Sequence, residues 1–366
     1  MLHEILQERD LPPVLQMADG TEVTASNWQE RRREMREALE KYSYGHTPGA
    51  PEILKGQIRK ADEYAYAGKV LQQEIVITFR TAKGRFSFRF QLLIPRNVSK
   101  PPVILHLAFR PDLPDRYVPV EEITDRGYAL AVVCYTDMLN DRLHGDFSDG
   151  LAAYFGVTKD RGPEEWGKIG MWAYGASRTL DYLLTRPDLD GAHTAVMGHS
   201  RLGKVALWAA AQDERFWCAI SNNSGYGGAA TSKHGTGERV RDFLRGGSWD
   251  FYCENFKEFV DEKEDAKPYD QSWLLALIAP RYLCVGSAVE DDGADPQSEF
   301  LTSLWASGAW DLLGRQGLVT PDRMPKVGDR MQEGCIGYHL RPGRHFLSRE
   351  DWNVYMDFLD QKRIAE

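Results

Sequence analysis

The chain has 366 residues, 42% hydrophobic and 27% charged, with a net charge of −9 and an isoelectric point near 5.6. That is a globular composition, long enough for one large α/β domain or two ordinary ones. The acidity argues against nucleic acid or an anionic membrane as partner, and no apolar run of about 18 residues offers a membrane span.

Met1 to Asp10 has no apolar signal core, so the chain as written is expected to stay in the cytoplasm. Residues 1–60 read as an N-terminal arm with one helix, Trp28 to Lys41, capped by Ala25-Ser26-Asn27. Residues 55–95 read as strands: Leu71 to Phe79 and Arg85 to Ile94 alternate in part, with a Lys83-Gly84 turn between them. Val103 to Leu107 and Tyr128 to Cys134 are short buried strands, and 136–165 is polar and loop-like. Ile169 to Leu184 has helical spacing. After the strand at 194–199 come a helix, Lys204 to Ala211, a strand, Cys218 to Ser221, and a glycine-rich loop, Ser224 to Gly228. An apolar run, Ser272 to Ala279, leads to a buried strand at 281–286; Leu301 to Leu313 and Trp352 to Gln361 are helices. Strands alternating with helices predict an α/β fold with a mostly parallel sheet covered on both faces, in one domain spanning 1–366.

Composition carries two further signals. Ten Trp, 16 Tyr and 15 Phe suit a large core or a surface on which sugar rings stack. Cys134, Cys218, Cys253, Cys284 and Cys335 are scattered, show no metal-ligand spacing, and form no disulfide framework.

The segment Met197-Gly198-His199-Ser200-Arg201-Leu202-Gly203-Lys204 puts a glycine-flanked serine between a strand and a helix. Such a turn holds a hydroxyl clear of the sheet, as in the nucleophile elbow G-x-S-x-G, although Gly203 falls one residue late. Acyl transfer by serine needs a histidine base and an orienting carboxylate, in the order Ser, acid, His. Of the histidines after Ser200, His345 lies in a turn-rich loop before the last helix and is the expected base. His339 sits in a strand-like run and reads as structural; His234 is too close to the nucleophile in sequence. The acid should follow the 281–286 strand, where Asp291 is preferred and Glu290 is second; Asp295, before Pro296, reads as a helix cap. The oxyanion would take one amide from Arg201 and another near Ala108 or Phe109. Arg201 and Lys204 beside the nucleophile suit an anionic or hydroxyl-rich substrate, with Glu290 a further substrate contact if it is not the acid. As mere surface charges the two cations would oppose the helix dipole.

The elbow segment, with Gln212-Asp213-Glu214-Arg215-Phe216 and Ser221-Asn222-Asn223-Ser224-Gly225, resembles the glucuronoyl esterases, carbohydrate esterase family 15. So do Ala276 to Arg281, Glu290-Asp291 with Ala294-Asp295-Pro296, and Gly337 to Arg341. The likeness runs from about residue 100 to the C-terminus, and the late glycine is that family's pattern. The resemblance implies an α/β-hydrolase that cleaves the ester between glucuronic acid on xylan and a lignin alcohol, without metal or organic cofactor. It implies Ser200 as nucleophile, His345 as base, Arg201 at the oxyanion and Lys204 on the sugar hydroxyls.

Three departures stand out. Fungal members carry the acid as a Glu where this chain has Asn223; some bacterial members carry it after the next strand, which fits Asp291. The family's Trp beside that acid is replaced by Asp292-Gly293. Most members are secreted, whereas a cytoplasmic version would act on small imported oligosaccharide esters. The leading expectation is a serine esterase of glucuronate or related sugar esters, with a carbohydrate ester as its only partner and no obligate protein partner. The rivals are a sugar acetyl esterase with the same triad and a catalytically silent carbohydrate-binding homologue.

Overall fold

In a computed structural model, which describes residues 1–365, ten strands form one sheet. They are β1 (Ile53–Ala65), β2 (Val70–Thr81), β3 (Gly84–Pro95), β4 (Pro102–Ala108), β5 (Ala129–Cys134), β6 (Asp190–His199), β7 (Cys218–Asn222), β8 (Tyr282–Ala288), β9 (Arg330–Met331) and β10 (Ile336–Arg341). The order across the sheet is β1-β2-β3-β5-β4-β6-β7-β8-β10-β9. The block from β5 to β10 is parallel, while β1 to β3 and β9 pair antiparallel at its two edges. The central strands are buried on both faces, as their unbroken apolar runs require. In β2 buried and partly buried positions alternate, the period of a strand with one face on the core.

The helices are α1 (Leu2–Glu8), α2 (Trp28–Leu39), α3 (Val120–Asp125), α4 (Gly150–Phe155), α5 (Lys168–Leu183), α6 (Arg201–Gln212), α7 (Val240–Gly246), α8 (Gln271–Ala276), α9 (Pro296–Leu312) and α10 (Arg349–Ile364). Helices α5, α6, α8 and α9 pack side by side, while α3 packs on β3 and β5 and α10 on β8 and β10, with Arg126 after α3 paired to Asp357 of α10 at 2.8 Å. This is the α/β-hydrolase arrangement. Among the described residues no helix is long and apolar enough to cross a membrane.

Several elements differ from the sequence reading. The arm holds two helices, and α2 runs into a π-turn at Glu40–Tyr44 that carries Tyr44 onto Trp208, ring centroids 4.4 Å apart. Asn27 stands at the N-cap, but its Oδ1 accepts from the Thr24 amide at 2.7 Å and not from the helix. The polar stretch 136–165 contains α4. Helix α6 begins at Arg201, three residues before the expected start, because it follows the elbow directly. Helix α9 begins at Pro296, where Asp295 accepts from the Ser298 amide at 3.0 Å and Pro296 needs no amide partner.

From β4 the chain pairs onward to β5 on one side, while β6 lies on the other. Such a reversal opens a crevice beyond the carboxyl ends of the strands. Ala108 ends β4 there, and Ser200 follows β6.

Candidate active site

Ser200 has φ 58° and ψ −130°, a conformation that a residue with a side chain rarely adopts. Its amide is anchored on the Asn222 carbonyl at 2.9 Å. The turn is tight enough to dictate both flanking glycines. A Cβ on Gly198 would lie 2.0 Å from the Leu202 carbonyl oxygen. One on Gly203 would lie 3.0 Å from Ser224 Cβ and 3.2 Å from the Gly198 carbonyl oxygen. The second glycine is thus needed where α6 backs onto the loop after β7. The first amides of α6 have no partners inside the helix and carry its positive pole to the serine.

The loop carrying Asp291 follows β8 and the loop carrying His345 follows β10, and these two strands pair in parallel. Their backbones stay bonded beyond the sheet, Glu290 N–H to the Gly343 carbonyl at 3.0 Å and Val289 N–H to the Arg341 carbonyl at 3.0 Å. This brings His345 Nδ1 to 2.6 Å from Asp291 Oδ2. The same oxygen accepts from Asn223 Nδ2 at 2.7 Å. Burial pushes the Asp291 carboxyl up, but the bond and charge of His345, with the Asn223 bond, outweigh it and hold the group below its usual value.

Two further groups fix His345. Arg341 donates to the carbonyls of Arg344 and Phe346, pinning the loop, and its Nε bonds Asp351 Oδ2 at 2.8 Å. His199 packs its ring on His345 with centroids 4.5 Å apart. Asn222 uses its amide nitrogen on the Tyr355 hydroxyl, so its oxygen accepts from His199 Nδ1 at 2.7 Å. Burial pushes His199 down to about 3, so His345 faces a neutral ring. His339 binds Asp351 at 2.8 Å in β10, and His234 lies 4.0 Å from Asp265, away from the cleft.

The cleft has two lobes. One, about 320 Å³, is lined by Asp141, Leu143, Arg201, Phe243 and Phe251 among others. The second, about 170 Å³, is lined by Asn223, Ser224, Gly225, Asp291 and His345 among others. Ser200, Lys204 and Glu238 border both. Lys204 is buried, with Nζ 3.7 Å from Glu238 Oε2 and 5.2 Å from the Phe243 centroid; burial pushes its ammonium below the usual range. It is no surface charge. Arg201 Nη1 lies 2.5 Å from Asp141 Oδ2, and its guanidinium lies over Phe251 at 5.2 Å. Asp141 is itself held by the Tyr135 hydroxyl at 2.6 Å.

Two of the expected site residues do not line the cleft. Glu290 borders neither lobe: its side chain is 56% exposed and points to Arg344 at 3.7 Å, because the backbone bond to Gly343 turns it outward. Ala108 is buried at the end of β4 and also lies outside the lining of either lobe.

A family model described as "Glucuronyl esterase, fungi" matches residues 77–314. The chain belongs to the glucuronoyl esterases, carbohydrate esterase family 15. It is 34% identical to a carbohydrate esterase, MZ0003, from an unknown prokaryotic organism, over 96% of this chain and 89% of that one. A solved glucuronoyl esterase from Solibacter usitatus superposes with a TM-score of 0.87 at 32% identity, covering 96% of this chain and 97% of that one. A 4-O-methyl-glucuronoyl methylesterase from Schizophyllum commune is 27% identical over 83% of this chain and 74% of that one.

In this glucuronoyl esterase Asn223, just after β7, donates to the Asp291 carboxylate, which stands one strand further on. Phe243 and Phe251 are aromatic walls of the larger lobe. Asp141, Glu238 and Phe243 carry no signal of a site in the sequence: the two carboxylates sit in irregular stretches and Phe243 on the short helix α7, and only tertiary contact brings them to Ser200.

Proposed function

We propose that this glucuronoyl esterase hydrolyses alkyl or aryl esters of glucuronate, including 4-O-methyl-glucuronate, through a Ser200 acyl-enzyme. The observation that carries the reading is the Asp291–His345 bond beside Ser200, in a cleft whose other border is the buried Lys204 facing Glu238. Asp291 holds the proton on His345 Nδ1, leaving Nε2 as the base that takes the Ser200 proton. The serine oxygen attacks the ester carbonyl carbon. The Arg201 amide at the start of α6, with a second amide near Ala108 and Phe109, is assigned to the oxyanion, and the Arg201 guanidinium adds positive charge. Collapse of the tetrahedral adduct passes the proton from His345 to the departing alcohol. Water, activated by the same histidine, then frees the uronic acid. Lys204 and Glu238, a donor and an acceptor, suit the hydroxyls of a sugar on the acyl side. The five buried, unpaired thiols suit a reducing compartment.

The test is hydrolysis of benzyl glucuronate beside an acetylated sugar, with Ser200→Ala as blank. Faster release from the glucuronate is expected. Cleavage of the acetyl ester alone would overturn the substrate assignment, and failure of folded protein to react with a fluorophosphonate would overturn the nucleophile.

A further inference from the structure

One carboxylate behind the cleft takes no part in that scheme. Glu299, in the first turn of α9, is fully buried, and among the described residues no Lys or Arg makes an ion pair with it. Its Oε1 accepts from the Ser224 amide at 2.8 Å, the Gly225 amide at 3.0 Å and the Ser224 hydroxyl at 3.3 Å. Its Oε2 accepts from the Ser287 hydroxyl at 2.5 Å. Ser224 Oγ already receives protons from the Ser221 hydroxyl at 2.7 Å and the Ala229 amide at 2.9 Å, so its own proton is directed to Glu299. Four donors therefore converge on one carboxylate.

The placement of those donors matters. Ser224 and Gly225 directly follow Asn223, in a loop where Asn223 has φ 46° and Gly225 φ 60°. Ser287 lies near the end of β8, just before the acid loop. Strands β7 and β8 are neighbours, and Asn223 must cross from one to meet Asp291 on the other. Glu299 is bonded to both sides of that crossing. We propose that Glu299 is a positioning residue for the catalytic acid: it clamps the loop after β7 to the end of β8, and so sets the Asn223–Asp291 contact that orients His345. The assignment rests on the Ser200–His345–Asp291 reading.

The experiment compares Glu299→Ala, Glu299→Gln, Asn223→Ala, the Glu299→Ala/Asn223→Ala double variant and Asp291→Asn. It reads kcat and KM on benzyl glucuronate, fluorophosphonate labelling of Ser200 and thermal unfolding. Glu299→Ala should lose roughly tenfold or more in both kcat and labelling rate, with KM changing by less than about twofold. Glu299→Gln can keep its oxygen on the two amides and donate its NH2 to Ser287, and should recover to within about threefold of the parent. Adding Asn223→Ala to Glu299→Ala should cost little more, because both act through one contact. Folded Glu299→Ala with parental kcat and labelling overturns the proposal, as do losses that simply multiply. If Glu299→Ala does not fold, Ser287→Ala cuts one arm of the clamp; a kcat loss non-additive with Asn223→Ala supports the proposal, and parental kcat overturns it. Parental activity in Asp291→Asn would sink the triad reading and this proposal together. An inactive Asp291→Asn beside a normal Glu299→Ala sinks this proposal alone.

Discussion

Asn223 donates to Asp291 Oδ2 at 2.7 Å, on the very oxygen that His345 reaches from the other side. The loops after β7 and β8 are therefore in side-chain contact at these two positions. An acid at position 223 would share a site with Asp291. Asn223→Asp should consequently raise an apparent carboxyl pKa by a unit or more, since like charges in contact do not both ionise readily. The acid limb of the kcat/KM profile should move to higher pH. An unmoved limb would show that the added carboxylate turns away.

Asp291→Asn should lower kcat by about three to four orders of magnitude, because an amide no longer fixes the imidazole tautomer. Glu290→Gln should change little, as that side chain faces Arg344 in solvent. Steady-state rates on one ester decide between the neighbours, and a loss in the Glu290 variant alone would reverse the assignment.

Lys204→Met and Arg201→Ala should separate binding from chemistry. Lys204 faces the proposed sugar side, so its loss should raise KM by roughly tenfold or more with a smaller effect on kcat. Arg201 lies next to the nucleophile, so its loss should fall mainly on kcat. Equal changes in both constants for both variants would contradict this division.

Burial, the largest influence on Glu299, outweighs its hydrogen bonds and pushes it from 4.5 up to about 7. In that window the folded protein holds a proton that the unfolded chain releases, so the associated stability is present below pH 4.5 and is lost as pH rises through about 7. Glu299→Gln titrates nothing there. Its stability relative to the parent should rise between those limits, by on the order of 3 kcal/mol. Denaturant melts at either end of the window measure it, and a constant difference would show that the group titrates normally.

Gly198→Ala and Gly203→Ala should differ in severity. A Cβ at 198 meets backbone oxygen at 2.0 Å and must break the elbow, so Ser200 should no longer label. At 203 the closest atoms lie at 3.0–3.2 Å and can give by a few tenths of an ångström. That variant should fold with a loss of about 1–3 kcal/mol. Fluorophosphonate labelling with a thermal melt checks both.

How far the chain could be read follows from where its signals lie. Val103 to Leu107 and Cys218 to Ser221 must be buried on both faces, and their unbroken apolar runs declare it. Gly198 and Gly203 on either side of Ser200 declare a turn because a Cβ has no room at 198 and little at 203. Strand β1 went unresolved as a separate strand: it is a mostly exposed edge held by pairing with β2, so Lys55 to Tyr64 carry no core-facing alternation. Spacing alone does not separate Asp291 from Glu290; the Glu290–Gly343 backbone bond, beside which Glu290 faces Arg344, is encoded by no local pattern. Glu238, Asp141 and Glu299 act on groups far away in sequence, and a lone carboxylate looks the same in a chain whether it meets solvent, a lysine or two amides.

The backbone at Ser200 has a consequence for evolution as well as for catalysis. At φ 58° and ψ −130° the residue best suited to the fold is glycine, which reaches this region without a Cβ clash. Ser200→Gly should therefore melt at a higher temperature than the active protein and than Ser200→Ala. Selection for stability alone would favour glycine there, so a serine acting as the proposed nucleophile would be kept for turnover at the expense of robustness.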